Sequence, residues 1–121
     1  MIFLNFIIDI EGVRHTYGER VALDNVSFQV PQGDVFALLG PNGGGKTTLF
    51  RLLCTSFVPQ HGRVHIAGFD VVKDVAAVRE RIGVVFQKPS LDAKLTVLEN
   101  LQHQGHLYGL RGALLKDRID E

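Results

Sequence analysis

Gly40-Pro41-Asn42-Gly43-Gly44-Gly45-Lys46-Thr47 is the stretch that decides the fold of this chain. It fits G-x-x-x-x-G-K-[ST] at every fixed position. The apolar run Val35-Phe36-Ala37-Leu38-Leu39 precedes it, and such a run suits a strand buried on both faces, as in a parallel sheet. A helix is expected after it, from Lys46 to about Cys54, with Leu49, Leu52 and Leu53 on one stripe. Strand, glycine-rich loop and helix, in that order, are the setting the motif requires. The chemistry explains the residue types. Triphosphate oxygens need a concave ring of N–H donors, and glycines let the backbone curl that closely. Gly43, Gly44 and Gly45 supply that freedom. The helix start adds unpaired N–H groups and the positive end of its dipole. Lys46 is expected to reach the β- and γ-phosphates as a mobile point charge. The Thr47 hydroxyl is the expected Mg²⁺ ligand, and Thr48 can give a phosphate oxygen one more donor. Gly40, Pro41 and Asn42 complete the expected nucleotide-binding loop. A glycine-rich turn beside a solvated lysine is the competing reading, and the completeness of the motif weighs against it.

On the N-terminal side, the apolar MIFLNFIIDI leads into a strand over Ile7–Val13. It lacks a positively charged start, carries Asn5 and Asp9, and is too short to span a bilayer. A turn is expected at Tyr17–Arg20, then an extended run over Val21–Val30 with Val26, Phe28 and Val30 on one face. Pro31–Asp34 reads as a turn. On the C-terminal side, Arg63–Ile66 is a short strand, and Gly68 starts a turn. Asp74 is placed to cap a helix through Arg81. Ile82–Phe86 reads as a second buried strand. Thr96 and Glu99 have capping-box spacing, so a helix should run from there to about Tyr108 and stop at Gly109. Ala113–Glu121 opens a further helical pattern that has no stop signal, as expected of a piece of a longer protein.

Bulk properties exclude several classes. Lys and Arg together number 13 and so do Asp and Glu, which argues against a general nucleic-acid surface but not against a local phosphate site. The single cysteine, Cys54, rules out an internal disulfide. It sits among leucines and reads as packing rather than as a nucleophile. His103 and His106 lie one helical turn apart, and His61 and His65 flank a short run. No carboxylate or cysteine cluster joins either pair, so a solvated face is the better reading of both. No Ser/His/Asp or Cys/His constellation is present.

GPNGGGKTTL resembles the phosphate loop (Walker A) of the ATP-binding cassette (ABC) ATPases. Tyr17 matches the aromatic residue that stacks on adenine in that family. IGVVFQ places Gln87 where the family has its Q-loop glutamine. The resemblance extends from Ile10 to Arg118. Phe86-Gln87-Lys88-Pro89-Ser90-Leu91-Asp92, Leu95-Thr96-Val97, Glu99-Asn100-Leu101 and Tyr108-Gly109-Leu110 look most like ATPases of drug-export and polysaccharide-export type. The family more often has Ala or Ser at the position of Gly44.

The resemblance implies an α/β fold: a phosphate-loop NTPase core with a small antiparallel β subdomain, incomplete at the C-terminus. Residues 1–88 would hold the β subdomain and the core. Residues 89–121 would hold the Q-loop exit and the start of a helical subdomain. It implies ATP and Mg²⁺ as ligands, with Tyr17 on the base and Gln87 touching both Mg²⁺ and the attacking water. It implies a second nucleotide-binding domain and a membrane-spanning transporter subunit as partners, no nucleic acid, and a cytoplasmic location on the inner face of the membrane. The family's signature loop, Walker B strand, catalytic glutamate and switch histidine fall beyond the equivalent of Glu121, so residues 1–121 alone are expected to lack hydrolytic activity. The alternatives are a nucleotide-binding fragment without catalysis, an ABC ATPase with no transport role, and another phosphate-loop enzyme such as a kinase or GTPase.

Overall fold

The computed structural model describes residues 5–88 and 91–121. Met1–Leu4, at the head of the apolar N-terminal stretch, and Pro89–Ser90, in the segment after Gln87, lie outside the described residues. The chain divides into two compact units between Val84 and Val85.

The first unit is built on a four-stranded antiparallel sheet. β1 (Phe6–Tyr17) and β2 (Arg20–Pro31) form a long hairpin. Its two-residue turn begins with Gly18 at positive φ, a conformation that glycine adopts without strain. β3 (His61–Ile66) pairs with the other edge of β1, and β4 (Phe69–Asp70) follows it through Ala67-Gly68. Both turn residues have positive φ, as a tight hairpin turn demands. The order across the sheet is β2-β1-β3-β4.

The pleat of β1 changes parity part-way along. Ile8 and Ile10 face the core at first, and then Val13 and His15 do. A bulge lies between, where Gly12 takes φ +58° and its N–H donates to Ser27 Oγ at 2.8 Å. The extra residue turns the following side chains over. Gly62 of β3 fits against this bulge. A Cβ there would lie 2.4 Å from the Glu11 carbonyl oxygen.

α1 (Lys46–Leu53) covers the sheet. Leu49 and Leu52 are buried beside Ile10, Val13, Leu23 and Val64, and Leu53 packs at the margin. This is the apolar stripe that the sequence marks out. α2 (Val75–Arg79) adds Val78 to the same core. It stops short of Arg81, and Asp74 does not cap it. The Asp74 carboxylate turns back to accept from the Asp70 N–H at 3.1 Å. The Asp70 carboxylate in turn accepts from the Val72 and Lys73 N–H groups, and the Val72 bond leads in holding its pKa below the usual value.

Two expected strands do not form. Val35–Leu39 and Ile82–Phe86 have no ladder partner and are not strands. Val35 and Leu39 are 102% and 89% exposed, and Val85 is 94% exposed. An apolar run becomes a buried parallel strand only inside a sheet ladder, and among the described residues neither run belongs to one. Phe36 nevertheless stacks on Phe28, with centroids 5.0 Å apart.

The second unit holds α3 (Val97–Leu107) and α4 (Gly112–Asp120), which pack on each other through Gly105 and Leu115. The start of α3 is a complete capping box. The Glu99 N–H donates to Thr96 Oγ1, and the Glu99 carboxylate accepts from the Thr96 N–H. At the other end Gly109 takes φ +78°. The Leu110 N–H donates to the Gly105 carbonyl and the Gly109 N–H to that of His106. These are the two bonds of a Schellman stop.

Leu52 is fully buried at the centre of the first unit. Leu52→Ala should therefore destabilise it by about 2–5 kcal/mol, the usual cost of such a cavity. Urea denaturation followed by circular dichroism measures it, and a loss below about 1 kcal/mol would mean that α1 does not pack as described.

Candidate functional site

The glycine-rich loop closes around the ammonium group of Lys46. Lys46 is the first residue of α1. Its Nζ donates to the carbonyls of Gly40 and Pro41, the latter at 2.6 Å. The Gly44 N–H donates to the Pro41 carbonyl at 3.0 Å and tightens the curl. Gly43 and Gly45 take φ +81° and +84°, which few side-chain-bearing residues adopt. Gly45 is constrained twice, because a Cβ there would lie 2.1 Å from the Ala22 carbonyl oxygen of β2. Gly44 differs. Its φ is not positive, and a Cβ would meet the Pro41 carbonyl oxygen at 3.0 Å. A methyl group fits there after a shift of a few tenths of an ångström.

A cavity of about 180 Å³ opens above this loop. Asn42, Gly43, Gly45, Lys46, Thr47 and Thr48 form one wall. The β1–β2 hairpin forms the other through Tyr17, Arg20 and Ala22. Pockets for whole small ligands usually run to about 300–1,000 Å³, so this one is too small to enclose a whole one. Tyr17 stands at the rim, 44% exposed, with its hydroxyl 3.3 Å from Thr48 Oγ1. Thr47 is exposed and Thr48 buried.

Arg20 belongs to the site and was not legible in the sequence. Its Nη2 donates to the Gly43 carbonyl at 3.0 Å, tying the hairpin to the loop. The cavity thus carries two cations, Lys46 and Arg20, and no carboxylate among the described lining residues. With the N–H groups at the start of α1, this lining has the charge that suits an anion. The only sequence signal for Arg20 was its place three residues after Tyr17, which fixes no contact by itself.

Tyr17 and the loop residues are therefore brought together. Gln87 lies in the second unit, where it is exposed. Cys54 caps the end of α1 half-buried, and burial pushes its thiol up, which suits packing rather than nucleophilic chemistry. Among the described residues no group of three or more His, Cys, Asp or Glu side chains could hold a metal ion. A cation here would need ligand oxygens in addition to Thr47.

A family model described as ABC transporter matches residues 23–121. The chain belongs to that family. Among curated relatives of this ABC chain, the daunorubicin resistance ATP-binding protein of Streptomyces coeruleorubidus is 42% identical over 114 residues, covering 94% of the chain and 36% of the relative. The Nod factor export ATP-binding protein I of Ralstonia nicotianae is 42% identical, over 93% of the chain and 35% of the relative. The doxorubicin resistance ATP-binding protein of Mycobacterium tuberculosis is 46% identical, over 93% and 34%. The chain thus spans about a third of the length of these relatives. The solved ATP-binding subunit of an ABC transporter superposes with TM-score 0.77 at 27% identity, covering 88% of this chain and 45% of that one. The cbiO1 protein of Clostridium perfringens, part of an ABC transporter complex, gives 0.77 at 28% identity, covering 96% and 48%. The α/β ABC fold expected from the sequence is borne out, as is the likeness to drug-resistance and export ATP-binding proteins.

Gly45→Ala tests the geometry of the loop. Its methyl group would strike the Ala22 carbonyl at a backbone φ that L-residues rarely adopt. It should destabilise the first unit by about 1–3 kcal/mol, where Gly44→Ala changes it by less than about 1 kcal/mol. Equal thermal midpoints for the two variants would contradict the backbone described here.

Proposed function

We propose that the cavity between the hairpin and the glycine-rich loop binds Mg-ATP, and that the whole protein is the ATPase subunit of an ABC transporter of export type. The observation that carries this is the pairing of two cations and a helix start on one side with an exposed aromatic ring at the rim. Lys46 faces the phosphates and Arg20 adds charge beside them. The N–H groups of Gly43 and of Gly45 to Thr48 cradle the oxygens, while that of Gly44 holds the loop closed on Pro41. Thr47 gives Mg²⁺ one hard oxygen, and the phosphates and water complete its shell. Tyr17 offers its ring face to the base. Stacking reads no base edge, so GTP should bind nearly as well as ATP.

In this reading Gln87 contacts Mg²⁺ and helps to hold the attacking water. A second nucleotide-binding domain closes the site, and closure drives a membrane-spanning subunit. Among the described residues no helix is long and apolar enough to cross a membrane. In this reading the subunit works on the cytoplasmic face, against its membrane-spanning partner. The relatives named for drug resistance and Nod factor export favour outward transport.

A second reading concerns residues 1–121 alone, a nucleotide-binding piece without turnover. Phosphoryl transfer to water needs a positioned nucleophile as well as charge neutralisation. The described cavity supplies cations and amides but no carboxylate to orient a water.

Calorimetry with Mg-ATP tests the site. Lys46→Ala should abolish measurable binding, and unchanged affinity would overturn the assignment. Tyr17→Ala should weaken binding by about 1–3 kcal/mol, while Tyr17→Trp keeps most of it. A phosphate-release assay tests the second reading. Residues 1–121 should release phosphate no faster than buffer. Turnover that disappears with Lys46→Ala would make this piece a complete enzyme.

A further inference from the structure

Behind Tyr17 lies a stack of rings that phosphate binding does not use. His15 is two residues before Tyr17 on β1 and is only 8% exposed. Its imidazole lies 5.7 Å from the Phe57 ring, with planes 14° apart. It lies 4.9 Å from the Tyr17 ring, with planes 66° apart. Tyr17 and Phe57 also meet edge to face at 6.4 Å. Arg51 of α1 closes the far side, its guanidinium carbon 5.2 Å from the Phe57 centroid. The stack therefore runs from α1 through Phe57 and His15 to the ring at the rim of the cavity.

His15 has a feature that packing alone does not call for. Its Nδ1 is buried without a hydrogen-bond partner, and among the described residues no other buried side-chain nitrogen or oxygen lacks one. An unpaired polar atom in the interior costs stability, and an apolar side chain would fill the space without that cost. What the imidazole contributes is a thin flat ring. It stacks on Phe57 with one face and meets Tyr17 at a steep angle, an arrangement favoured between aromatic rings. Tyr17 needs such a neighbour. Its hydroxyl lies 3.3 Å from Thr48 Oγ1, and a tether at the tip leaves the plane of the ring free to turn.

We infer that His15 is a positioning residue for the base: braced by Phe57, its imidazole fixes the plane of the Tyr17 ring and thereby sets affinity for the base while leaving affinity for the phosphates unchanged. His15 does not line the cavity, so its influence reaches a ligand only through Tyr17. The inference rests on the proposal that Tyr17 carries the base.

The test compares Mg-ATP with Mg-tripolyphosphate, which has the phosphates and no base, by calorimetry on the 121-residue chain. His15→Leu fills the space without a ring. It should weaken ATP by about fivefold or more, approaching the loss in Tyr17→Ala, and leave tripolyphosphate within about twofold. His15→Phe restores a ring and should bring ATP back to within about twofold of wild type. In the Tyr17→Ala background, His15→Leu should cost nothing further. Where His15→Leu unfolds by circular dichroism, Phe57→Leu carries the same comparison with the same expected split. Equal losses for ATP and tripolyphosphate, no rescue by Phe, or full additivity with Tyr17→Ala would each overturn the role of His15 while leaving the Tyr17 reading intact. ATP binding unaffected by Tyr17→Ala would overturn both.

Discussion

The carbonyl oxygen of Ala22 lies where a side chain on Gly45 would begin, 2.1 Å from an ideal Cβ. The second strand and the first turn of α1 therefore meet backbone to backbone, and much of the first unit follows from that approach. It holds the start of α1 against the hairpin, so that Leu49 and Leu52, on the helix face behind it, fall onto the sheet beside Leu23 and Val13. It also sets the two walls of the cavity. The residues around Ala22 on the hairpin are those that face the loop, and Arg20 reaches across to the Gly43 carbonyl. A bulkier residue at position 45 would force the walls apart and remove the curl that aims N–H groups into the cavity.

A second glycine decides which aromatic residue faces that cavity. The bulge at Gly12 shifts β1 by one residue against its partners. Without it, the core face set by Ile8 and Ile10 would continue through even-numbered positions and turn His15 and Tyr17 toward solvent. With it, Val13 and His15 are buried, and Tyr17 comes over Thr48 of α1. The bulge is possible because Gly12 accepts a positive φ and Gly62 leaves room opposite, where a Cβ would strike the backbone of Glu11 and Gly12. Two glycines with no part in phosphate binding thus determine where the aromatic platform stands.

These constraints explain what could be read from the sequence. Local chemistry was legible: the phosphate loop, the Leu49–Leu52 stripe, the capping box of Thr96 and Glu99, and the stop at Gly109 each depend on residues within a few positions of one another. Contacts between distant segments were not. Arg20 is an ordinary turn residue until Gly43 is folded against it, and His15 is a solvated histidine until the bulge turns it inward. Asp74 has the right neighbours for a cap, yet the Asp70 N–H competes successfully for its carboxylate. The runs Val35–Leu39 and Ile82–Phe86 mark the opposite limit. Their composition suits a strand, but composition supplies no neighbouring strand, and outside a ladder Val35, Leu39 and Val85 are left exposed.

Charge balance shows the same limit at longer range. Equal numbers of acidic and basic residues argue against a broad basic surface, yet they say nothing about a field a few ångströms across. Several of the acids are engaged elsewhere. Glu11 pairs with Arg63 at 2.6 Å, Asp24 lies 3.8 Å from Arg14, and Glu99 is spent on the start of α3. Lys46 and Arg20 have no carboxylate partner among the described residues and are held by neutral carbonyls instead. A carbonyl orients a cation without cancelling its charge. Two of the three ammonium donors of Lys46 are committed to the loop, which leaves one for a further acceptor, and the Arg20 guanidinium commits only one of its five to Gly43. The loop thus aims positive charge without neutralising it, so a chain of zero net charge can present a concentrated site for anionic oxygens.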